Sequence, residues 1–339
     1  MPLLRPYNFP NPVLVTGGAG FIGRHIVDQL LAGDHQVVVF DKPGVPIPVA
    51  WGDRVRIVSG DIANPDDVGA AMRGIGTVFH TAAVVSDWAP RSAYERVNLQ
   101  GSRHVFEQAA QNQTRVVLLS SCAVYGDKIG RGMLREEDGW GRPLGLYGEY
   151  KQRQEEMGWD FRRKYGLALS VVRPSKVYGP GSKPWVHEVA ANLLSGKPTL
   201  VNGGYYNPGL VYVDNLVDIL LRAGSLPQAQ GRTYNGYDGT TVTLRQYFTD
   251  LARIVGAPPP RAMPGWFAGI LAALIEPTWK LFKIESRPLL TRDSLRMVSS
   301  EYQISTDRVC GELGFEPLVP YEEGIRRVET YWHGLKGSR

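Results

Sequence analysis

The stretch VLVTGGAGFIGRHIVDQLL occupies residues 13–31 and joins a short apolar run directly to a pattern with helical spacing. Three glycines, Gly17, Gly20 and Gly23, fall where the predicted strand turns into the predicted helix. Glycines in this context permit a tight turn, close approach of the backbone to a pyrophosphate, and packing of the helix on the strand. The stretch therefore predicts a dinucleotide-binding unit at the start of the fold.

Short β-branched runs alternate with helical stretches through the first half of the chain. Six nearly continuous apolar runs predict strands that are buried on both faces: 13–17, 37–41, 55–61, 77–83, 115–121 and 169–175. Segments with helical spacing, such as 23–33 and 94–111, lie between them. This alternation predicts an α/β fold, a Rossmann-type doubly wound parallel sheet with a smaller C-terminal substrate lobe.

The chain divides into two predicted regions. Residues 11–180 are predicted to form the dinucleotide-binding domain, and 205–225 are predicted to return to it through a strand and helix at 210–224. Residues 181–204 and 226–335, which are richer in proline and tryptophan, are predicted to form the substrate-binding lobe.

Composition narrows the class of protein. The 339 residues include 38 Lys and Arg against 33 Asp and Glu, a formal charge of +5 without long basic runs, which argues against a nucleic-acid partner. The two cysteines match no metal-ligand spacing, so we expect no metal site and reduced thiols in the cytoplasm. Prolines interrupt residues 1–12, which predicts a short tail and no secretory signal.

Two aspartates follow predicted strands near the glycine turn. Asp41 stands 24 residues beyond Gly17, where it can accept hydrogen bonds from ribose hydroxyls and would repel a 2′-phosphate. NAD is therefore predicted in preference to NADP, although the neighbouring Lys42 could soften that choice. Asp61 either reaches an adenine amino group or caps a turn, and both interpretations stay open.

The segment GLYGEYKQ at residues 145–152 contains the candidate catalytic pair. Tyr147 and Lys151 are four residues apart and lie on one helix face, whereas Tyr150 points about a hundred degrees away. A nearby ammonium and an oxidised nicotinamide would lower the pKa of the Tyr147 phenol towards that of a useful base. Ser121, at the end of the fifth predicted strand, could orient the same substrate oxygen.

These motifs, in this order, resemble the extended short-chain dehydrogenase/reductase family, which includes nucleotide-sugar epimerases and dehydratases and 3β-hydroxysteroid dehydrogenase-like enzymes. The resemblance is carried by VLVTGGAGFIG, GDI, HTAA, NLQG, SSCAVYG, YGEYK, VVRPSKVYGPG, VYVDNLVD and ELGFEP. It implies that Ser121, Tyr147 and Lys151 form the catalytic set and that Lys151 contacts the nicotinamide ribose.

The resemblance also implies further contacts. Ala82 and Ala83 would line the path of the cofactor, Asn98 would support the active site from a helix, and segment 174–177 would pass the nicotinamide. The helices around 94–111 and 147–165 would form a homodimer. The full predicted cofactor-binding set is Gly17, Gly20, Phe21, Ile22, Gly23, Asp41, Lys42, Asp61, Ile62, Ala82, Ala83, Asn98, Tyr147, Lys151, Pro174 and Val177.

The chain departs from two branches of the family. The dehydratases carry an Asp-Glu pair where this chain has Cys122 and Ala123, so a dehydratase is not expected. Epimerases that bind a nucleoside diphosphate carry an asparagine where Lys176 stands and an arginine where Pro208 stands. A pyrophosphate needs cations, and Lys176, Lys183 or Lys197 would replace that arginine only in part.

The apolar segment WFAGILAALIEPTWKLFKI at residues 266–284 is predicted to form two short helices separated at Pro277. Its uninterrupted apolar part, 265–275, rises only about 16 Å as a helix, too little to span a bilayer. Packing on the core is the favoured interpretation. The alternatives are a wall of a hydrophobic pocket and a peripheral contact with a membrane.

The sequence thus predicts an NAD-dependent oxidoreductase that transfers hydride between nicotinamide and a secondary alcohol or ketone, with a hydrophobic, sterol- or lipid-like small molecule as substrate. A sugar-nucleotide 4-epimerase with tightly bound NAD is the main alternative, because it uses the same catalytic residues. A non-catalytic sensor of NAD(P) is the second alternative.

Overall fold

The structure is a computed structural model that describes residues 7–282, 284, 288 and 291–337. Of the predicted N-terminal tail, residues 1–6 lie outside this part. The strands are β1 Val13–Thr16, β2 Val37–Asp41, β3 Val55–Ser59, β4 Thr77–His80, β5 Arg115–Leu119, β6 Met133–Leu134, β7 Leu169–Pro174, β8 Lys176–Tyr178, β9 Leu200–Val201, β10 Leu210–Tyr212, β11 Thr233–Gly236, β12 Ala262–Met263 and β13 Gln303–Ile304.

The helices are α1 Phe21–Ala32, α2 Pro65–Met72, α3 Arg91–Tyr94, α4 Ser102–Gln111, α5 Leu146–Tyr165, α6 Glu188–Leu194, α7 Val213–Ser225, α8 Leu244–Val255, α9 Gly265–Leu281, α10 Arg292–Met297, α11 Asp307–Leu313 and α12 Tyr321–Gly337. A π-helical turn, Glu95–Gly101, joins α3 to α4.

Seven parallel strands form the central sheet in the order β3-β2-β1-β4-β5-β7-β11. The strand order reverses between β1 and β4, which makes the loops after these two strands diverge and leaves a crevice at the carboxyl ends of the strands. The predicted Rossmann-type doubly wound sheet is confirmed.

The sheet is buried on both faces because alternate residues of its strands enter two separate hydrophobic cores. Val13 and Val15 of β1 pack in one core with apolar residues of α1 and α7. Leu14, between them, packs in the other core with residues of α2, α4 and α5. Helices on both faces explain why the strands of this sheet are apolar at nearly every position.

The return of the chain to the sheet differs from the predicted one. β10 pairs with β8 in a separate two-stranded sheet, and the seventh strand of the central sheet is β11, from the range assigned to the second lobe. The Ser175 N–H still donates to the Gly236 carbonyl at 3.1 Å, whereas the Lys176 N–H donates to the Gly209 carbonyl at 3.1 Å. The chain therefore changes its pairing partner between two consecutive residues.

The prediction of two short helices around Pro277 is wrong for the described residues. α9 is one helix of 17 residues with the proline inside it. Proline removes one helical N–H, and the Thr278 hydroxyl group donates to the Leu274 carbonyl at 2.7 Å in the same turn. The rest of the predicted second helix includes Lys283, which lies outside the described residues.

We expect Gly23→Ala to lower the free energy of unfolding by about 1–3 kcal/mol, because a Cβ at residue 23 would lie 2.3 Å from the Gly17 carbonyl oxygen. Gly69→Ala is the matched control, since it adds the same methyl group in α2 with no atom within 4 Å. Urea unfolding followed by circular dichroism measures both variants. Equal midpoints for the two would show that the helix does not depend on this close approach.

Candidate active site

The turn between β1 and α1 presents helix N–H groups that can bind an anion. Gly20 caps α1 without a side-chain hydrogen bond, and the first turn of α1 contains no acidic residue. Gly17 has a φ of 66°, and a Cβ on it would lie 3.0 Å from the Cα of Ala82. The glycines thus let the turn lie flat against neighbouring backbone, and the helix N-terminus suits a pyrophosphate.

A cavity of about 610 Å³ lies across the carboxyl ends of the central strands. Of the residues predicted from the sequence, those on its wall are Gly17, Gly20, Phe21, Ile22, Gly23, Asp41, Lys42, Asp61, Ile62, Ala82, Ala83, Ser121, Tyr147, Lys151, Pro174 and Val177. Asn98 does not line the cavity. It is buried, and its side-chain oxygen accepts a hydrogen bond from the N–H of Val84, a wall residue, at 2.8 Å.

Two aspartates border one end of the cavity. The Asp41 carboxylate accepts hydrogen bonds from the N–H groups of Ala19, in the glycine turn, and of Lys42, at 3.0 and 2.8 Å. Asp61 accepts from the Ala63 N–H at 2.9 Å and forms an ion pair with Arg96. Asp61 therefore caps a turn and also lines the cavity, so both interpretations of this residue agree with the geometry.

The candidate catalytic side chains meet at the opposite end of the cavity. Ser121 is the second residue after β5, and its hydroxyl group accepts a hydrogen bond from the Ala123 N–H at 3.1 Å. Tyr147 and Lys151 lie in the first two turns of α5 and face the same space. The end of one strand and the start of one helix thus bring together a hydroxyl group, a phenol and an ammonium.

The two tyrosines of GLYGEYKQ have different surroundings. Tyr150 is fully buried away from the cavity, where its ring stacks on Tyr94 at 5.2 Å between centroids. Its hydroxyl group donates to the Glu95 carboxylate at 2.8 Å. Tyr150 is therefore a packing residue that joins α5 to the π-helical turn, and Tyr147 alone of the two faces the cavity.

Lys151 is buried among polar groups. Its Nζ donates hydrogen bonds to the Leu119 carbonyl at 2.7 Å and to the Gln154 side-chain oxygen at 2.9 Å. Burial lowers the pKa of Lys151 to about 7, and the Glu155 carboxylate acts in the opposite direction. An ammonium has three donors, so the third N–H of Lys151 remains available to a ligand in the cavity.

Burial raises the pKa of the Tyr147 phenol to about 12, while a hydrogen bond with Ser121 lowers it. The protonated phenol is consequently the stable form at neutral pH. Lys151, which the sequence predicts to lower this pKa, directs its hydrogen bonds to Leu119 and Gln154.

A buried ion pair lies directly behind the candidate catalytic residues. Arg173 of β7 donates to both oxygens of Glu155 of α5, at 2.9 and 2.7 Å, and both side chains are almost completely buried. Glu155 also accepts from the Ser120 hydroxyl at 2.5 Å and from the Trp140 indole at 2.7 Å. The network ties α5 to the ends of β5 and β7.

Several wall residues were not assigned from the sequence. Trp185, Met297 and Tyr302 come from the second lobe and lie on the cavity wall with Val84 and Val85. No local spacing marks them, because only the tertiary fold brings them to this end of the sheet. Tyr302 directly precedes β13, which pairs with β6 far away in sequence.

The family model described as the NAD dependent epimerase/dehydratase family matches residues 13–235. The chain belongs to this family. It resembles a 2-alkyl-3-oxoalkanoate reductase of Stenotrophomonas maltophilia, with 27% identity over 94% of this chain and 98% of the relative. It also resembles a 3-beta-hydroxysteroid dehydrogenase of Mycolicibacterium neoaurum, with 28% identity over 95% of this chain and 92% of the relative.

Solved structures of the family share the fold. A UDP-glucose 4-epimerase of Thermus thermophilus in complex with NAD superposes with a TM-score of 0.72 at 26% identity, covering 95% of this chain and 99% of the epimerase. Together with the dehydrogenases and reductases among the relatives, this establishes the protein as an NAD-dependent enzyme of the epimerase/dehydratase family and confirms the resemblance drawn from the sequence motifs.

Two features are absent from the described part of this epimerase/dehydratase-family enzyme. Within residues 7–282, 284, 288 and 291–337, no helix has the length and hydropathy needed to cross a bilayer. In the same part of the chain, no group of three or more His, Cys, Asp or Glu side chains is arranged to hold a metal ion.

Glu155→Gln should lower the free energy of unfolding by about 3–5 kcal/mol, because it leaves the Arg173 guanidinium buried without its counter-ion. Glu156→Gln makes the same change at the next residue, which is exposed, and should have an effect within about 0.5 kcal/mol. Urea denaturation of both variants provides the comparison. Similar losses for the two would contradict a structural role for the ion pair.

Proposed function

We propose that this enzyme transfers hydride between NAD(H) and a secondary alcohol or ketone of a hydrophobic small molecule. The observation that carries the proposal is the shared cavity, in which Ser121, Tyr147 and Lys151 face the same space as the glycine turn. Cofactor and substrate oxygen would then meet at one end of the sheet.

The residues around the glycine turn fit a dinucleotide. Gly17 and Gly23 lie so close to neighbouring backbone that a side chain at either position would clash with it. The start of α1 has no side-chain cap, so its N–H groups can donate to a pyrophosphate. Asp41 would accept hydrogen bonds from the adenosine ribose, and its negative charge would disfavour the 2′-phosphate of NADP. We therefore propose NAD as the preferred cofactor.

When bound, NAD(H) would accept or supply the hydride. Tyr147 would exchange the proton of the substrate oxygen through its phenol, and the Ser121 hydroxyl would orient that oxygen by a hydrogen bond. Lys151 would bind a ribose hydroxyl with its third N–H and place a positive charge near the phenol. Glu155, below Lys151, would favour the charged form of this ammonium.

The pKa of Tyr147 bears on the direction of reaction. Because burial keeps the phenol protonated at neutral pH, the enzyme holds the proton that reduction of a ketone consumes. Oxidation of an alcohol needs the phenolate, and the positive charges of an oxidised nicotinamide and of Lys151 would both lower the pKa towards that form.

The wall at the catalytic end supports a hydrophobic substrate. Val84, Val85, Trp185, Met297 and Tyr302 give this part of the cavity apolar and aromatic surfaces. Relatives named as a 3-beta-hydroxysteroid dehydrogenase and a 2-alkyl-3-oxoalkanoate reductase cover nearly the whole chain. Their names are consistent with a hydroxy or oxo group on a hydrophobic substrate here.

A sugar-nucleotide 4-epimerase is the second candidate, because an epimerase with the same fold binds NAD and the hydride chemistry is shared. Lys176 and Lys183, on the cavity wall, are the cations that would face a diphosphate. Pro208 stands where the resemblance to these epimerases leads one to expect an arginine, which favours the oxidoreductase. Net accumulation of NADH with an alcohol separates the two candidates, since an epimerase returns the hydride to its substrate.

Tyr147→Phe should reduce NAD-linked turnover by about a hundredfold to ten-thousandfold, because it removes the proton-transfer group and leaves the ring in place. Tyr150→Phe is the matched control from the same helix turn, and its turnover should stay within about threefold of the parent, since its hydroxyl group contacts Glu95 and Arg91 and does not face the cavity. Turnover is followed by NADH absorbance. Unchanged turnover of Tyr147→Phe would sink the catalytic assignment, and no turnover by the parent with any alcohol would favour the sensor of NAD(P).

We also propose that the exposed face of α9 contacts a membrane. Trp266, Phe267, Ile270 and Leu274 are 70, 42, 50 and 63% exposed, while the small Ala268 and Ala272 are buried. Core packing therefore accounts only for the alanine face of the helix. The apolar face does not line the cavity, but α10, which packs against α9, contributes the wall residue Met297. A lipid surface there would supply hydrophobic substrate close to the cavity.

The double variant Trp266→Ser, Phe267→Ser should bind vesicles roughly tenfold more weakly than the parent, because it removes the two largest apolar side chains of this face. Vesicles of phosphatidylcholine and phosphatidylglycerol suit a chain with a formal charge of +5. Tyr165→Ser, at an aromatic residue that is 63% exposed on α5, should sediment with vesicles as the parent does. A parent protein that stays in the supernatant would overturn the proposal.

The homodimer and the cytoplasmic location of the protein both stay predictions. The helices proposed for a homodimer, α4 and α5, pack side by side on one face of the sheet. The cytoplasmic assignment rests on the two free cysteines, Cys122 and Cys310.

A further inference from the structure

Lys176, the first residue of β8, is a buried cation on the cavity wall. Its side chain is 4% exposed, and its Nζ donates to the Pro208 carbonyl at 2.5 Å. The same Nζ lies 2.8 Å from the ring centroid of Tyr302 and 5.8 Å from that of Trp185. The amine is therefore surrounded by one carbonyl oxygen and two aromatic rings at the catalytic end of the cavity.

Among the described residues Lys176 has no counter-ion, unlike the buried Arg173 and the largely buried Arg222. Arg173 is paired with Glu155, and Arg222 with Asp218. Across the described residues, no carboxylate oxygen lies within 4.0 Å of the Lys176 Nζ. A buried ammonium without an opposite charge is costly, and burial lowers the pKa of Lys176 well below its usual value.

The Cys122 thiol does not supply the missing charge. Cys122 is the acidic group that acts electrostatically on Lys176, but burial raises the pKa of this thiol, which keeps it neutral at neutral pH. Cys122 directly follows Ser121 in the chain, and both line the cavity together with Ser175 and Lys176. The candidate catalytic serine and Lys176 therefore share one cavity.

We infer that Lys176 binds a carboxylate group of the substrate. The inference rests on the proposed oxidoreductase function and narrows its substrate class. Because Ser121 and Lys176 line the same cavity, the reacting oxygen and the carboxylate would belong to one molecule, as they do in a 3-hydroxy acid. The apolar wall would hold the alkyl part of that acid.

A carboxylate matches this site better than a diphosphate does. One buried amine among neutral aromatic side chains offsets one negative charge, whereas a diphosphate brings about two and is usually bound by several cations or by bidentate arginine. Lys151, on the same wall, is proposed to bind the ribose, and Lys183 is exposed, so it can be neutralised by solvent ions. Lys176 lacks one negative counter-charge, and a carboxylate, as a monoanion, would supply one.

The test compares 3-hydroxydodecanoate with its methyl ester, which has the same hydroxyl group and chain but no charge. The parent enzyme, Lys176→Met and the control Lys197→Met, which changes an exposed lysine away from the cavity, are assayed for oxidation with NAD. Methionine is unbranched and flexible like lysine, one atom shorter, and uncharged, so the thermal unfolding temperature of Lys176→Met should be unchanged or raised.

For the parent and for Lys197→Met we expect kcat/KM for the acid to exceed that for the ester by about tenfold to a hundredfold. Lys176→Met should lose this preference through a higher KM for the acid, and should oxidise the ester as well as the parent does. An unchanged acid preference in Lys176→Met, or an equal loss with acid and ester, would overturn the inference and leave the oxidoreductase function standing.

A binding measurement keeps the two proposals distinct. If the parent oxidises neither compound, the proposed function fails for this class, and calorimetric titration of 3-hydroxydodecanoate into the NAD-loaded protein tests Lys176 alone. Binding that is at least tenfold weaker in Lys176→Met supports the inference. Equal binding by both proteins refutes it, and tighter binding of UDP-glucose than of the acid by the parent would favour a diphosphate at Lys176.

Discussion

The ion pair between Glu155 and Arg173 fixes the arrangement on which the site depends. Two charges buried together are tolerated only when their geometry satisfies both groups, and here Arg173 donates to both oxygens of Glu155 while Ser120 and Trp140 donate to the same carboxylate. The partners come from α5, β7 and the end of β5. Moving any of these elements would leave a buried charge without its partner. The ion pair therefore fixes the relative positions of the elements that carry Ser121, Tyr147 and Lys151.

The end of the cavity where we propose that the cofactor binds depends on a different constraint, which is the absence of side chains. Gly17 and Gly23 let the backbone of the turn and the helix approach within a distance that a Cβ would prevent. The reversal of strand order between β1 and β4 then opens the crevice beside this turn. One end of the cavity is therefore bordered by closely packed glycine backbone, and the other lies above the Glu155–Arg173 network.

Local patterns predicted much of this arrangement. The glycine turn, the alternation of strands and helices, and the four-residue spacing of Tyr147 and Lys151 are all short-range features, so the sequence alone indicates them. The pairing of β11 with β7, the position of Tyr302 on the wall and the Glu155–Arg173 pair join residues far apart in sequence, and no local pattern marks them. The continuity of α9 is also hidden from the sequence, because a proline usually ends a helix, whereas here the Thr278 hydroxyl adds a hydrogen bond in that turn.

We propose that the cavity transfers hydride between nicotinamide and a substrate carbon and does not return it. The most direct test supplies NADH deuterated at either face of C4 together with a medium-chain ketone, and follows the alcohol by mass spectrometry. We expect deuterium on the carbinol carbon from one of the two deuterated forms, in proportion to the NADH consumed. Alcohol without deuterium from both forms, or an isomerised sugar nucleotide with no net change in NADH, would contradict the claim.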